Sequence, residues 1–227
     1  MSLNSISHVK IAIDGPAGAG KSTVAREVAR RLGIKYLDTG AMYRAVTLKL
    51  LREQVPLSDR EKVEEVLKRT SLDVENGQRV FLDGEDVTAE IRQPHVNAHV
   101  SPVSALPEVR RRMVQLQQDI ASRAPGIIME GRDIASKVMP DADFRFYLDA
   151  SLEERARRRQ KEQRERGLHL SLEEVAAEIK ERDRIDSGRD DSPLTIVPGA
   201  FVIDTTTRTF DQVVEAILNV VRGNRKE

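Results

Sequence analysis

The first residues along this chain whose types and spacing could do chemistry form a glycine-rich loop. Residues 15 to 22 read GPAGAGKS, which completes the G-x-x-x-x-G-K-[ST] pattern of a loop that holds phosphate groups. Its glycines tolerate positive φ angles, so the backbone N–H groups of residues 18 to 23 can converge on phosphate oxygens where a helix begins. Lys21 adds a mobile positive charge, and the Ser22 hydroxyl can reach Mg²⁺. The predicted nucleotide-binding residues are Gly15, Pro16, Ala17, Gly18, Ala19, Gly20, Lys21, Ser22 and Thr23.

The segments on either side of this loop support a phosphate-binding role. An apolar run, Val9 to Ile13, precedes the loop as a strand would, and residues 23 to 32 have the apolar spacing of a helix that ends at Gly33. The alternative is a glycine-rich turn without a ligand. The order of strand, loop and helix disfavours that alternative, because it is the context in which the pattern binds nucleotides.

Several arginines lie beside predicted turns or strand ends, where the ligand crevice of a parallel sheet forms. They are Arg44, Arg110, Arg132, Arg182 and Arg189. Phosphoryl transfer crowds negative charges together, and such groups catalyse it mostly by positioning and electrostatic stabilisation. Arg132 and Asp133 follow the apolar run 127 to 129, so we expect both to emerge at the crevice. A surface ion pair is the alternative interpretation of these two residues.

Strands that alternate with helices must position these side chains, and they predict an α/β fold with a parallel sheet and right-handed crossovers. Further short strands are predicted at residues 35 to 37, 127 to 129, 144 to 148 and 201 to 203. The last three are continuous apolar runs, the pattern of strands buried on both faces. Helices are predicted at residues 41 to 52, 58 to 69, 107 to 123, 151 to 166, 171 to 184 and 209 to 222. The helices that follow Ser58, Ser151 and Ser171 each begin with a Ser-x-x-Glu capping box.

A segment of different character interrupts this order. Short stretches of β character occur at residues 71 to 74, 79 to 82 and 86 to 87. The dipeptides between them are hairpin signals, Asn76-Gly77 and Asp83-Gly84. Because two-residue turns join antiparallel neighbours, this small meander cannot belong to the parallel sheet. Residues 92 to 107, rich in Pro, His and Ser, look like a loop with a helical turn or two. The fold class is therefore α/β with an α+β insertion near residues 71 to 107.

The composition excludes several classes of function. The chain has 227 residues and no cysteine, which excludes disulfides and thiolate metal sites, and its four histidines lack metal-ligand spacing. Lys and Arg total 37, as do Asp and Glu, and only 4% of residues are aromatic, which argues against a nucleic-acid partner. No apolar run approaches the length of a membrane helix, and residues 1 to 8 lack a signal-peptide pattern. We therefore expect a cytoplasmic protein without a membrane partner.

Four separated motifs point to one family. They are IDGP at residues 13 to 16, DTGAMYR at 38 to 44, GRD at 131 to 133 and ERD at 181 to 183. In order and approximate spacing they resemble the bacterial cytidylate kinase family of P-loop nucleoside monophosphate kinases. The resemblance runs from about Val9 to Val221 and includes the meander, which in that family enlarges the monophosphate-binding region. It implies a P-loop kinase three-layer fold, one unit over residues 1 to 227, with residues 71 to 107 as the inserted monophosphate-binding subdomain.

The resemblance also implies substrates and a role for individual residues. In that family ATP with Mg²⁺ is the donor and CMP or dCMP the acceptor, and the products are ADP and the diphosphate. By position, the acceptor phosphate would be held by Arg44, Arg132 and Arg189. The cytosine would be read by Ser101, Arg110 and Asp133, and the sugar would be met by Arg182 and Asp186. Thr39 would lie beside the acceptor, and Ser22 would hold Mg²⁺ with the ATP phosphates, with Asp14 or Asp133 reaching the ion through water.

A lid and a set of catalytic residues complete what the resemblance implies. Residues from about 155 to 189 would form the lid and the acceptor-binding helices, and Arg155, Arg158 and Arg159 match the arginine cluster of the lid. The implied catalytic residues are Lys21, Arg132, Arg155, Arg158 and Arg159. A general base is not required, because the acceptor phosphate has a second pKa near 6 and is largely an anion at neutral pH.

Alternatives remain open on the sequence alone. Arg182 and Asp186 could be an exposed i,i+4 ion pair, and Thr39 could be only a helix cap. The enzyme could act on another nucleoside monophosphate or a small hydroxyl compound, and exchange of Asp133 and Arg110 would test that. A non-catalytic ATP-binding module could bind nucleic acid through the basic tract at residues 155 to 166. We expect a monomer.

Overall fold

The computed structural model describes residues 8–75, 77, 79–165, 167–189 and 191–223. Strands and helices in these residues alternate along most of the chain. The strands are β1 (Lys10–Asp14), β2 (Lys35–Asp38), β3 (Leu72–Glu75), β4 (Arg79–Leu82), β5 (Glu85–Asp86), β6 (Ile127–Gly131), β7 (Phe144–Asp149) and β8 (Phe201–Asp204). The α-helices are α1 (Lys21–Leu32), α2 (Thr39–Arg52), α3 (Arg60–Arg69), α4 (Pro94–Ala105), α5 (Pro107–Arg123), α6 (Leu152–Glu165), α7 (Leu172–Ser187) and α8 (Phe210–Gly223). Two short turns of other helix types are Glu90–Arg92 (3₁₀) and Ile134–Val138 (π).

Five of these strands form a parallel sheet in the order β2-β6-β1-β7-β8. β1 is central, and Asp14 at its carboxyl end is level with Gly131 of β6 and Tyr147 of β7. The glycine-rich loop therefore leaves the sheet at the carboxyl edge of its middle strand. Ligands of open α/β sheets bind at this edge.

Helices pack on both faces of the sheet and produce three layers. On one face, Val28 of α1 and Ile217 of α8 share a core with Ile13. On the other face, Met113 of α5 packs in a second core with Met129 of β6. The arrangement confirms the predicted α/β class, because a parallel sheet needs helices on both faces to bury it.

β8 differs from its prediction as a strand buried on both faces. It lies at the sheet edge, where Phe201 and Val202 are 38% and 55% exposed and only Ile203 is buried. β7 is buried at alternate positions, Phe146 and Leu148. Of the three runs, β6 alone is buried along its length. The prediction was wrong for β7 and β8 because a short apolar run does not reveal how many neighbours cover a strand.

The inserted meander is confirmed. β3, β4 and β5 form an antiparallel sheet of their own. Asp83 and Gly84, with φ of 51° and 85°, make the two-residue turn between β4 and β5. Such positive angles at both central positions are those of the hairpin turn that the dipeptide predicts. In the other predicted turn, Asn76 lies outside the described residues and Gly77 has φ of 68°.

The segment predicted as a loop at residues 92 to 107 is instead mostly the helix α4. Val96, Val100 and Val103 are buried at helical spacing. Pro94 sits in the first turn, where the missing N–H is harmless, but Pro102 lies inside the helix. The prolines predict a break in the helix, whereas packing of the buried valines compensates for the hydrogen bond that Pro102 cannot make.

The helix starts agree only in part with the predicted capping boxes. The box at Ser171 is complete. Ser151 accepts from the Glu154 N–H, but its own N–H donates to Thr206 rather than to the glutamate. The box at Ser58 was wrong, because Asp59 caps α3 by accepting from the Lys62 N–H. Adjacent serine and aspartate are both good caps, so the sequence did not distinguish them.

Candidate active site

The loop between β1 and α1 has the backbone of a phosphate cradle. Gly15, Gly18 and Gly20 have φ of 148°, 79° and 83°, which L side chains rarely adopt. A Cβ on Gly15 would lie 2.0 Å from the backbone oxygen of Leu148, so the loop passes directly against β7. α1 begins immediately after Gly20, and its first N–H groups therefore point toward the space the loop encloses.

Lys21 is buried inside this loop. Its Nζ donates to the backbone oxygen of Pro16 at 2.7 Å. Burial, together with the positive charge of Arg132, lowers the pKa of Lys21 to about 7. An anion in the loop would favour the charged form of the lysine, as the phosphate-binding role requires.

Oxygen ligands for Mg²⁺ gather beside Lys21. The Ser22 hydroxyl donates to Oε1 of Glu130 at 2.6 Å, and burial raises the pKa of Glu130. Asp14 accepts from the N–H groups of Ile134 and Ala135 at 2.9 and 2.8 Å, and burial raises its pKa to about 7. Among the described residues no cluster of three or more His, Cys, Asp or Glu could hold a metal. The Ser22 hydroxyl and the Glu130 carboxylate beside it are oxygen groups of the kind that Mg²⁺ takes together with substrate phosphates and water, so the residues present fit that ion.

One buried carboxylate, that of Asp186, contacts several of the predicted arginines. Asp186 is 2% exposed and accepts from Arg132 Nε at 2.8 Å and from Arg189, while Arg182 Nε lies 4.0 Å away. Although burial opposes it, these positive charges hold the pKa of Asp186 below its usual range. The i,i+4 ion pair of Arg182 and Asp186 is thus not an exposed surface pair.

The arginines around Asp186 carry more positive charge than it can neutralise. Burial, together with the positive charges of Arg132 and Arg44, lowers the pKa of Arg182 to about 9. Within the described part of the chain, the buried Nε atoms of Arg182 and Arg189 have no hydrogen-bond partner. Excess positive charge and unpaired hydrogen-bond donors both favour the binding of an anion.

Arg44 and Thr39 lie on the first turns of α2, next to this cluster. Arg44 Nε donates to Oδ1 of Asn97 at 3.2 Å, and burial lowers its pKa. The Thr39 hydroxyl donates to the backbone oxygen of Glu130 at 2.8 Å. Asp38, not Thr39, caps α2 by accepting from the Ala41 N–H. The alternative that Thr39 is only a helix cap is therefore wrong.

Arg110 and Asp133 form a buried ion pair at the side of the arginine cluster. Arg110 is 1% exposed, and its NH2 group donates to Oδ2 of Asp133. Its other terminal nitrogen is 3.4 Å from the backbone oxygen of Ser104, whose hydroxyl accepts from Arg189 at 3.1 Å. Ser104 in turn donates to the backbone oxygen of Ser101 at 3.0 Å. Arg110 and Ser101, which are predicted to read the base, are thus connected through Ser104 to Arg189, which is predicted to hold the phosphate. Because Asp133 is buried, the alternative of a surface ion pair is wrong for this residue.

The helices that carry three of these arginines are the ones predicted at residues 41 to 52, 107 to 123 and 171 to 184, but the predicted positions beside turns or strand ends are wrong for these three. Arg44, Arg110 and Arg182 lie within helices α2, α5 and α7 rather than beside turns or strand ends. Of the set, Arg132 directly follows a strand of the parallel sheet. Convergence therefore depends on how the helices pack, which spacing along the chain does not reveal.

The three predicted lid arginines point in different directions. Arg155 donates to the Ala17 backbone oxygen at 3.0 Å and to Asp183 at 2.5 Å, so it lies against the loop. Arg158 bonds the hydroxyl and backbone oxygens of Thr205 at 2.9 and 2.6 Å. Burial is the largest cause that lowers the pKa values of Arg44 and Arg182, and the positive charge of Arg159 also lowers both. Arg159 therefore lies on the side of the arginine cluster.

The comparisons with known proteins decide the family. The family model "Cytidylate kinase" matches residues 11–223. The chain belongs to the cytidylate kinase family. A cytidylate kinase of Caldanaerobacter subterraneus subsp. tengcongensis is 55% identical over 218 residues, 96% of each chain. One of Symbiobacterium thermophilum is 51% identical over 93% of this chain and 95% of its own.

Solved structures agree on the fold. Shikimate kinase from Acinetobacter baumannii, in complex with shikimate, covers the whole of both chains with a TM-score of 0.52 and 16% identity. At that identity the likeness supports the three-layer P-loop fold alone. The recognition of the cytidylate kinase family from four short motifs is confirmed.

Several residues beside the candidate site were not predicted from the sequence. A cleft of about 270 Å³ opens beside Gly20 and Thr23, lined also by Thr205, Arg208 and Phe210. These three follow β8, so a strand end in the parallel sheet was the available signal. Tyr43, Ser104 and Asp183 were also not singled out, although Tyr43 and Asp183 stand inside recognised motifs.

In the described residues no helix is long and apolar enough to cross a membrane.

Proposed function

We propose that this member of the cytidylate kinase family transfers the γ-phosphoryl group of ATP to CMP or dCMP, giving ADP and CDP or dCDP. The observation that carries the proposal is the excess of guanidinium groups around Asp186, of which Arg132 and Arg182 lie close enough to Lys21 for their charges to act on it. Two polyanions can meet only where positive charge faces both of them. The site supplies that charge on both sides.

The chain's own residues account for the transfer by binding and orientation. The loop N–H groups and Lys21 hold the ATP phosphates, while Arg44, Arg132 and Arg189 hold the acceptor phosphate. An oxygen of that phosphate attacks the γ-phosphorus in line, and the bond to the β,γ-bridging oxygen breaks, so no proton need move. Mg²⁺, held by Ser22 and the ATP phosphates, would neutralise charge on the transferred group. Arg155, Arg158 and Arg159 would complete the lid, at about residues 155 to 189, over the donor.

Base recognition would rest on the buried pair beside the arginines. The Asp133 carboxylate can accept from the cytosine amino group, while Arg110 can donate to O2 and N3 of the ring. Adenine cannot present the same pattern. Each such contact is worth about 1 to 3 kcal/mol, or roughly 5- to 150-fold in selectivity. Ser101 would support this pocket, and Arg182 and Asp186 would meet the sugar.

A coupled ADP-release assay tests the proposal. With ATP and Mg²⁺, CMP and dCMP should react far better than AMP, UMP or GMP. Lys21→Ala should lower turnover by about 10²- to 10³-fold or more, the scale of losing one preorganised electrostatic donor. Lys62→Ala, which removes an exposed lysine from α3, should match the wild type. Equal rates with all five acceptors would defeat the proposed base recognition.

The other candidate functions have less support. The basic tract on α6 would be needed by a nucleic-acid binder, yet Arg157 pairs with Glu153, Arg158 with Glu154 and Arg155 with Asp183. Tight binding in a gel-shift assay at moderate salt would revive that alternative. The same five-acceptor assay addresses a kinase for another small acceptor. The monomeric state, the cytoplasmic location and the use of residues 71 to 107 as the monophosphate-binding subdomain stay predictions.

A further inference from the structure

The Tyr43 hydroxyl is a buried polar group for which neither the fold nor the reaction described above has a use. Tyr43 lies on α2, one turn after Thr39, and is 8% exposed. Its ring belongs to the core that includes Val46 and Met113, so it cannot turn toward solvent without leaving that core. Among the residues that the structure describes, the hydroxyl has no hydrogen-bond partner.

The surroundings of this hydroxyl are the charged residues of the acceptor site. After burial, which raises the pKa of Tyr43, the charges that act on it belong to Asp133, Arg110, Arg189 and Asp191. The phenol is consequently protonated at neutral pH and able to donate. Its neighbours come from α5 and from the segments that follow β6 and α7, so it stands where several elements meet.

A second unpaired donor belongs to Arg110, one of the residues whose charge acts on Tyr43. The buried Nε of Arg110 also has no partner in the described part of the chain. A buried donor without a partner is a cost to the free protein that a ligand atom can relieve. Two unpaired donors beside one carboxylate form a pattern of two donors and one acceptor. Cytosine presents the complement, with O2 and N3 as acceptors and the N4 amino group as donor.

We propose that Tyr43 is a further specificity-determining residue, whose hydroxyl donates a hydrogen bond to the acceptor edge of the pyrimidine ring alongside Arg110. The inference rests on the proposed function, because it assumes that the acceptor nucleotide binds at Arg110 and Asp133. Both donors are shielded from solvent in the free protein, so the groups that cover them must move when a base binds.

Tyr43→Phe tests the proposal, because it removes one oxygen and leaves the packed ring. We expect the KM for CMP to rise between twofold and about tenfold, the range of one net hydrogen bond. The KM for ATP should stay the same. CMP and dCMP should be affected equally, because the contact is to the base and not to the sugar.

The midpoint of thermal unfolding distinguishes a hydroxyl that binds the base from one that only stabilises the fold. Since the hydroxyl makes no bond in the free protein, Tyr43→Phe should leave the midpoint without nucleotide unchanged or higher, and should reduce the rise caused by CMP. Tyr36→Phe is the matched contrast. The Tyr36 hydroxyl lies 3.4 Å from Oε1 of Glu130, so its removal should lower the midpoint without nucleotide.

The outcomes separate this inference from the proposed function. If the wild type turns over CMP but Tyr43→Phe keeps the same KM for CMP, the inference fails and the function stands. A lower midpoint without nucleotide, together with an unchanged CMP-induced rise, would show a structural hydroxyl and overturn it. A loss confined to CMP, with dCMP unaffected, would assign the hydroxyl to the sugar and overturn the base contact. Failure of the wild type to use CMP would instead defeat the proposed function.

Discussion

Replacement of the buried pair of Arg110 and Asp133 would separate its contribution to stability from its proposed role in base recognition. The side chains are 1% and 5% exposed and hydrogen-bonded to each other. In Asp133→Val the Arg110 guanidinium loses its carboxylate partner while it remains buried. In Arg110→Met the carboxylate loses its closest positive charge. The double variant Arg110→Met/Asp133→Val removes both charges and leaves apolar groups that can pack together.

The expected magnitudes follow from the burial of both side chains. Loss of one partner from a buried pair costs about 3 to 5 kcal/mol, because the remaining charge is uncompensated. In a chain of this length 1 kcal/mol corresponds to about 2 to 4 °C, so each single variant should melt about 6 to 20 °C lower. Apolar replacement of a whole buried pair is often neutral or stabilising. The double variant should therefore melt closer to the wild type than either single variant does.

Thermal unfolding without nucleotide, followed by circular dichroism, measures the stability effect, and the five-acceptor kinase assay measures recognition. Stability should return in the double variant, but selectivity for CMP over AMP and UMP should be lost in all three variants. Arg111→Met is the matched control, because Arg111 is the next residue on α5 and is 64% exposed. It should change the free energy of unfolding by no more than about 0.5 kcal/mol. Additive losses in the double variant, or a double variant that still prefers CMP, would refute the reasoning.

Other predictions concern the donor side of the site. Gly15→Ala should unfold or severely destabilise the protein, because its Cβ would lie 2.0 Å from a backbone oxygen. In Gly33→Ala the added Cβ meets nothing within 4 Å, so the free energy of unfolding measured by chemical denaturation should fall by only about 1 kcal/mol. At pH 8 a lysine of pKa about 7 is mostly neutral, so ATP binding should draw up to about 0.9 proton onto Lys21. Calorimetry in buffers of different ionisation enthalpy measures this uptake, and equal uptake by Lys21→Met would contradict the assignment. Asp183→Asn removes the negative charge of the group that accepts from the Ala17 N–H. The KM for ATP should therefore rise several-fold, while the KM for CMP should stay the same. An unchanged KM for ATP would rule out a role for Asp183 in holding the loop.

The parts of the fold that the sequence predicted well are those in which local chemistry decides the backbone. The loop at residues 15 to 22 and the turn at Asp83-Gly84 need glycine at particular positions, and such needs are visible in the residues themselves. α4 was missed because Pro102 is a poor helix residue that tertiary packing of Val96 and Val100 outweighs.

The limits for the site have the same origin. The resemblance placed Arg110 and Asp133 in one pocket, and the structure pairs them. Tyr43 was quoted within a motif but given no role, because only the three-dimensional structure shows that its hydroxyl lacks a partner. An unsatisfied group is a property of the packed protein, and no spacing of residue types along a chain can reveal it.

A buried carboxylate connects the glycine-rich loop to the segment that we propose binds the acceptor. Asp14 ends the strand that leads into the loop, and it accepts from the N–H groups of Ile134 and Ala135, which directly follow Arg132 and Asp133. Movement of the loop relative to the acceptor residues would break both hydrogen bonds inside the protein, where neither partner can be replaced by water at low cost. In-line transfer depends on the separation between attacking oxygen and phosphorus, and an error of about 1 Å can cost 10²-fold in rate. The short connection through Asp14 therefore ties that separation to the central strand of the sheet.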